Sequence, residues 1–187
     1  MAFVKVSFTD VKAGKWYTKA VEVVASKGIA QGTSTSSFNP NNNITRGEFI
    51  DWLVKALGLS ARFETNFSDV SKNDYYYNSI GVAKALGITS GTGNNKCQPS
   101  KEISRQDMMV ITIKALQIAE ISLGDATDKE LAKYADGSAI SSYARNAAAT
   151  MVKEGLVTGS GNNLNPKRAI TRAETAQIIF NILKKYM

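Results

Sequence analysis

The sequence predicts an all-α, mainly helical fold with long loops, in which three tandem copies of one unit are arranged around a pseudo-threefold axis. Three observations predict it. A five-residue segment recurs as ITRGE, ISRQD and ITRAE, each time just ahead of an apolar stretch with helical spacing. The only prolines, Pro40, Pro99 and Pro166, each lie six residues before the arginine of that segment. The interval from an opening acid to the first loop glycine is nearly constant: 18 positions from Asp10 to Gly28, 18 from Asp69 to Gly87 and 19 from Asp136 to Gly155. Self-similarity at a fixed period marks a repeat architecture.

The first repeat, 7–60, opens as FTDVKAGKWYTKAVEVVASKGIAQG. Val21, Val24 and Ala25 at helical spacing predict a first helix. Gly28 follows as a C′ residue, where a left-handed conformation ends a helix. The polar stretch TSTSSFNP is a turn region, and Phe49, Ile50, Leu53, Val54 and Leu57 predict a second helix. In the second repeat, 66–118, Ile80 and Ala83 mark the first helix and Gly87 its end. Met108, Met109, Thr112, Ile113 and Leu116 mark the second helix. The connector, 119–132, is expected to hold a short amphipathic helix; it lengthens the arginine spacing from 59 (Arg46 to Arg105) to 67 (Arg105 to Arg172). In the third repeat, 133–186, Ala148 and Met151 precede Gly155, and Thr175, Ala176, Ile179, Phe180 and Leu183 form the second stripe. Each first glycine is followed four positions later by another: Gly32, Gly91 and Gly159.

A two-helix unit of about 55 residues cannot bury so broad a stripe alone. Three units can, if their second helices gather as a central bundle. An open solenoid is the competing arrangement.

Composition narrows the chemistry. The 187 residues are 43% hydrophobic and 21% charged, which is ordinary for a globular protein. No apolar run approaches the roughly 18 residues of a membrane span, so membrane insertion is not expected. The start, MAFVKVSFTD, lacks a signal-peptide pattern, so an exported form is expected to have had its leader replaced by the initiator Met. There is no histidine and a single cysteine, Cys97. That removes His-dependent triads, His-ligated zinc, thiolate clusters and internal disulfides. Paired-carboxylate hydrolysis remains possible, but the recurring acids open repeats or cap helices, so no enzyme, metal or cofactor is expected. The net charge of +7 favours an anionic partner. It is spread along the chain, with no basic stripe, so a generic polyanion or nucleic-acid binder is kept only as the alternative.

The recurring segment has two parts. Thr45 with Glu48, Ser104 with Asp107 and Thr171 with Glu174 read as capping boxes, which explains those residues structurally. Arg46, Arg105 and Arg172 then fall at the first helical position, where a cation opposes the macrodipole. Each is either solvated, or paired with an acid such as Asp10, Asp69 or Asp136, or part of an anion site at the helix start. Trp16, Tyr75 and Tyr143 begin the first helices. They are either core residues or faces on which a sugar lies.

The F-x-D-V opening, the aromatic six residues on, the G-[IL]-x-x-G loop, the F-x-P turn and the T-R-A-E helix start together resemble the S-layer homology module. Three such modules cover about residues 7 to 186. ITRAE matches the family motif outright, ITRGE differs at one position and ISRQD at three. The resemblance implies a three-pronged spindle around a central three-helix bundle. It further implies a non-catalytic anchor that binds secondary cell-wall polysaccharide in grooves between modules, typically through terminal pyruvylated N-acetylmannosamine. It places the protein outside the cell, at the wall or S-layer of a Gram-positive bacterium, and self-assembly would depend on a portion absent from this chain. By matched position, Arg46, Arg105 and Arg172 would meet the pyruvyl carboxylate, and Asp10, Asp69 and Asp136 would take sugar hydroxyls. Trp16, Tyr75 and Tyr143 would pack on the ring. Gly28, Gly32, Gly87, Gly91, Gly155 and Gly159 would admit the ligand, and Gly47, which replaces the motif alanine, would either open space or weaken its helix. The groove holding Arg46 and Trp16 is expected to bind best, and the one at ISRQD to be the first to fall silent.

Overall fold

Each repeat contributes a nine-residue helix and a longer one. The computed structural model describes residues 6–187, so the expectation about a leader, which rests on the first residues, falls partly outside it. The first helices are α1 (Thr18–Ser26), α3 (Tyr77–Ala85) and α5 (Arg145–Lys153); the second are α2 (Arg46–Ala56), α4 (Arg105–Ile118) and α6 (Arg172–Tyr186). Among the described residues, β pairing is confined to isolated bridges. No helix among them is long and apolar enough to cross a membrane.

The first helices end where the sequence says they must. Gly28, Gly87 and Gly155 adopt φ of +70°, +73° and +69°. In each case the next residue's amide reaches back to close a Schellman motif, as in Ile29 N to Val24 O at 3.0 Å and Gly28 N to Ala25 O at 2.9 Å. Ile29, Ile88 and Leu156, the residues just beyond, are buried, so the cap also feeds the core. The second glycines serve packing. A Cβ on Gly32, Gly91 or Gly159 would run into a loop carbonyl and into the ring of Phe8, Phe67 or Tyr134 respectively. The aromatic that opens each repeat therefore lies against its own loop.

The second helices start from Thr45, Ser104 and Thr171, whose hydroxyls accept from the amides of Glu48, Asp107 and Glu174. The reciprocal half of the capping box forms only in the third repeat, where Glu174 accepts from the Thr171 amide at 2.9 Å. The next two amides of each helix cross to another repeat. Arg46 N and Gly47 N donate to Lys101 O and Pro99 O, Arg105 N and Gln106 N to Arg168 O and Pro166 O, and Arg172 N and Ala173 N to Asn42 O and Pro40 O. Just before the caps, three buried isoleucines close a ring of hydrogen bonds. Ile44 N donates to Ile170 O (2.9 Å), Ile170 N to Ile103 O (3.1 Å) and Ile103 N to Ile44 O (3.3 Å). The third repeat thus pairs with the first as it does with the second, which an open solenoid does not allow.

Helix packing follows the same order. α3 packs on α2, α5 on α4 and α1 on α6, so each first helix leans on the second helix of the preceding repeat. Of the central bundle expected among the second helices, the contacts define two seams, α2 with α4 and α2 with α6. The short helix in the connector is a single 3-10 turn, Asp128–Leu131, capped by Thr127 and Glu130. Leu131 is the only buried residue of that turn, so a single turn is enough to plant it. Glu154 fastens the connector to the end of α6, accepting from Gly124 N at 2.8 Å and from the Tyr186 hydroxyl at 2.7 Å.

Candidate functional site

The opening acids shape the turns. Asp10 accepts from the amides of Phe38 and Asn39 at 2.9 and 2.7 Å, Asp69 from Cys97 and Gln98 at 2.8 Å each, and Asp136 from Leu164 and Asn165 at 2.7 Å each. Burial would raise the Asp10 and Asp69 carboxyls, but these amide bonds outweigh it and hold both below the usual value. The acids clamp residues with positive φ (Asn39, Gln98 and Asn165, at +54°, +54° and +55°) that no sequence signal had singled out. This is a different job from the hydroxyl recognition the resemblance implies, and none of the three aspartates pairs with an arginine of the motif.

Each arginine instead reaches into a neighbouring repeat. Arg105 donates from Nε to Leu164 O (2.8 Å) and from Nη2 to Thr158 O (3.0 Å), and pairs with Glu174 at 3.3 Å. Arg172 donates from Nε and Nη2 to Phe38 O and Gln31 O, both at 2.7 Å, and pairs with Glu48. Its guanidinium also lies 4.5 Å over the Phe38 ring and 5.0 Å over that of Trp52. These two arginines are only 5% and 2% exposed. Arg46 is partly exposed and tied more loosely. Its Nη2 donates to Thr89 Oγ1 at 2.9 Å, and its buried Nε has no hydrogen-bond partner. It lies beside the Cys97 thiol, which burial pushes up despite that cation.

A cation at the first helical position is tolerated here for a physical reason. The two leading amides of each helix face carbonyl oxygens, the third faces a hydroxyl, and the guanidinium swings away to a carbonyl or hydroxyl of the next repeat. The same bonds occupy the amides that an open anion site at the helix start would need. Whatever anion binding the arginines offer must therefore come from their side chains.

Trp16, Tyr75 and Tyr143 are 61%, 62% and 60% exposed, so they are not core residues, and they stand at one equivalent place in each repeat. Trp16 and Tyr75 are braced edge-on by Tyr17 and Tyr76, at 5.2 and 4.8 Å between ring centroids. Trp16 lines a cavity of about 330 Å³ with Arg105, the Thr158–Gly159–Ser160 loop, Asn165, Arg168 and the Glu174, Gln177 and Asn181 face of α6. One groove therefore draws on all three repeats. The correspondence extends to the others. Tyr75 stands near Arg172 and Glu48, and its hydroxyl is raised first by burial and then by Glu48. Tyr143 stands near Arg46; burial and its bond to Asp107 push its hydroxyl up to about 12.

Trp16 thus shares its groove with Arg105, not with Arg46 as the sequence reading paired them. The error has a plain source: the first repeat's aromatic and its arginine sit at opposite ends of the unit and face different neighbours. Gly47 makes room for the chain itself, since a Cβ there would come within 2.9 Å of Pro99 Cβ. Sequence reasoning read Glu48, Asp107 and Glu174 only as capping residues; the structure also sets Glu48 on Arg172, Glu174 on Arg105 and Asp107 on the Tyr143 hydroxyl. It also missed Gln177 and Asn181, although with Glu174 they form a polar i, i+3, i+7 line along α6. A braced aromatic face ringed by amides, hydroxyls and a Glu174 carboxylate shared by two guanidiniums suits a polyhydroxylated ligand.

Comparison with known proteins identifies the family. The S-layer homology domain matches three times, at residues 7–50, 66–109 and 133–176. The chain is 35% identical over 185 residues to an amylopullulanase of Thermoanaerobacterium thermosulfurigenes, covering 96% of this chain and 10% of that protein. It is 33% identical over 186 residues to the exoglucanase XynX of Acetivibrio thermocellus, covering 96% of this chain and 16% of that protein. With the S-layer protein sap of Bacillus anthracis it shares 26% identity over 183 residues, 96% of this chain and 22% of that protein. The chain thus spans less than a quarter of the length of each of these relatives.

Proposed function

The chain belongs to the S-layer homology family, and from that premise we propose that it is a non-catalytic anchor for a bacterial cell wall. Its three repeats, 7–60, 66–118 and 133–186, bind secondary cell-wall polysaccharide in the grooves between them. The terminal pyruvylated N-acetylmannosamine is the preferred unit. Such a protein works outside the cell, at the wall or S-layer of a Gram-positive bacterium, and holds there whatever longer protein carries the repeats. Assembly into an S-layer would rest on that longer part.

One observation carries this reading: Trp16 stands 61% exposed and braced at the wall of a 330 Å³ cavity to which every repeat contributes. A large aromatic left in water at one equivalent place in three repeats is costly unless a ligand covers it. The apolar ring face stacks on sugar C–H bonds, while Asn165, Gln177, Asn181 and the hydroxyls of Thr158 and Ser160 exchange hydrogen bonds with sugar hydroxyls. Elsewhere in the three grooves, a motif arginine supplies attraction for an acidic substituent. Co-sedimentation with purified walls, before and after removal of the pyruvyl group, tests it. Binding that depends on the pyruvyl group is expected, and equal binding to stripped walls would refute the carboxylate part of the mechanism.

A further inference from the structure

We propose that the three grooves differ in what they accept, and that the groove of Tyr143 and Arg46 is the one that takes a ligand carboxylate. This rests on the wall-polysaccharide reading and adds which groove recognises the acidic sugar. In the other two grooves the chain's own carboxylate already sits on the arginine: Glu174 on Arg105 at 3.3 Å, and Glu48 on Arg172. Both guanidiniums are buried and are held by two backbone carbonyls each. A ligand carboxylate would have to displace a resident acid from a fixed cation.

At the matching place in the third groove stands Asp107, one methylene shorter than its counterparts. Its carboxylate accepts from the Tyr143 hydroxyl and from Ser104 Oγ, at 2.7 Å each. Among the described residues it forms no ion pair with Arg46, whose oxygen partner is Thr89 Oγ1 and whose buried Nε is left unpartnered. A partly exposed guanidinium with no acid of the chain on it is open to a ligand carboxylate in a way the other two are not. Tyr143 is meanwhile fixed in place, its hydroxyl donating to Asp107 and accepting from Gln106 Nε2 at 2.9 Å. The unusual ISRQD segment therefore supplies the two residues, Gln106 and Asp107, that hold the platform and leave Arg46 without a resident acid. On this view ISRQD helps build the carboxylate-reading groove through Gln106 and Asp107, while its own Arg105 stays occupied by Glu174.

The test is a titration with the pyruvate ketal of N-acetylmannosamine and with its uncharged methyl ester, followed by NMR at the rings of Trp16, Tyr75 and Tyr143. The acid form is expected to perturb Tyr143 first and to bind there at least tenfold more tightly than the ester. Asp107→Glu keeps a helix cap and gives the second repeat the reach of the other two. It should weaken the acid form at Tyr143 at least tenfold and narrow its advantage over the ester. Arg46→Gln should have the same effect on binding. Saturation at Trp16 or Tyr75 ahead of Tyr143, or unchanged affinity in Asp107→Glu, overturns this inference while leaving the anchoring ligand in place. No binding of the acid form at any ring overturns both.

Discussion

Substituting the motif arginines one at a time should separate their structural work from recognition. Arg172→Ala removes a guanidinium that is 2% exposed, bonded to Phe38 O and Gln31 O, paired with Glu48 and stacked on Phe38 and Trp52. Removing one partner of a buried ion pair costs about 3–5 kcal/mol, since the other charge is left behind. Glu48, with its side chain 16% exposed, is partly rehydrated, which places the cost toward about 3 kcal/mol. Loss of the stack on two rings adds about 1 kcal/mol. For a domain of this size each kcal/mol moves the midpoint by roughly 2–4 °C, so a fall of about 8–16 °C follows. Arg46→Ala removes one hydrogen bond to a hydroxyl and relieves a buried orphan nitrogen. It should cost about 1 kcal/mol or less, and 4 °C at most. Thermal unfolding followed by far-UV circular dichroism measures both. Equal midpoints for the two variants, or an Arg172→Ala midpoint within 2 °C of the parent, would refute the reasoning.

Three further outcomes are expected. Gln98 holds φ of +54° where the other repeats have Asn39 and Asn165, so Gln98→Asn should stabilise the chain by about 0.5–1 kcal/mol in urea unfolding. Glu154 is held down to about 2 by the Lys185 ammonium, the Gly124 amide and the Tyr186 hydroxyl. Because its folded value is depressed, its contribution is complete above the ordinary value of 4.5 and is lost as pH falls toward 2. Glu154→Gln should therefore cost about 1–2 kcal/mol at pH 7 and progressively less below pH 4.5, as read from midpoints across that range. Trp16→Ala should leave the melting temperature nearly unchanged, because the side chain is 61% exposed, yet weaken sedimentation with walls several-fold.

Much of the fold was legible because its signals are local. A glycine that must adopt positive φ ends each first helix, and a hydroxyl three residues before an acid starts each second one; neither depends on anything distant. The closure of the ring was less legible. Arg172 and Phe38 are 134 positions apart and Arg105 and Leu164 are 59 apart, and no local rule indicates which carbonyl a guanidinium will find. The groove acids were hidden by their own adequacy. Glu48 satisfies every requirement of a helix cap on paper, yet its side chain leaves the cap for Arg172. The exposure of Trp16 could not be read from its spacing, which suits a core residue equally well. Its burial depends on which helix of another repeat comes to lie beside it.

The ring of isoleucine hydrogen bonds has a consequence for how such a chain varies in length. A stacked array offers a free face at each end, so it can gain or lose a repeat and keep every remaining interface. Here Ile44, Ile103 and Ile170 each donate once and accept once, and the circuit has no free end. A fourth copy would find no unpaired amide to join, and a chain of two would leave one donor and one acceptor stranded in the interior. The bonding pattern counts to three.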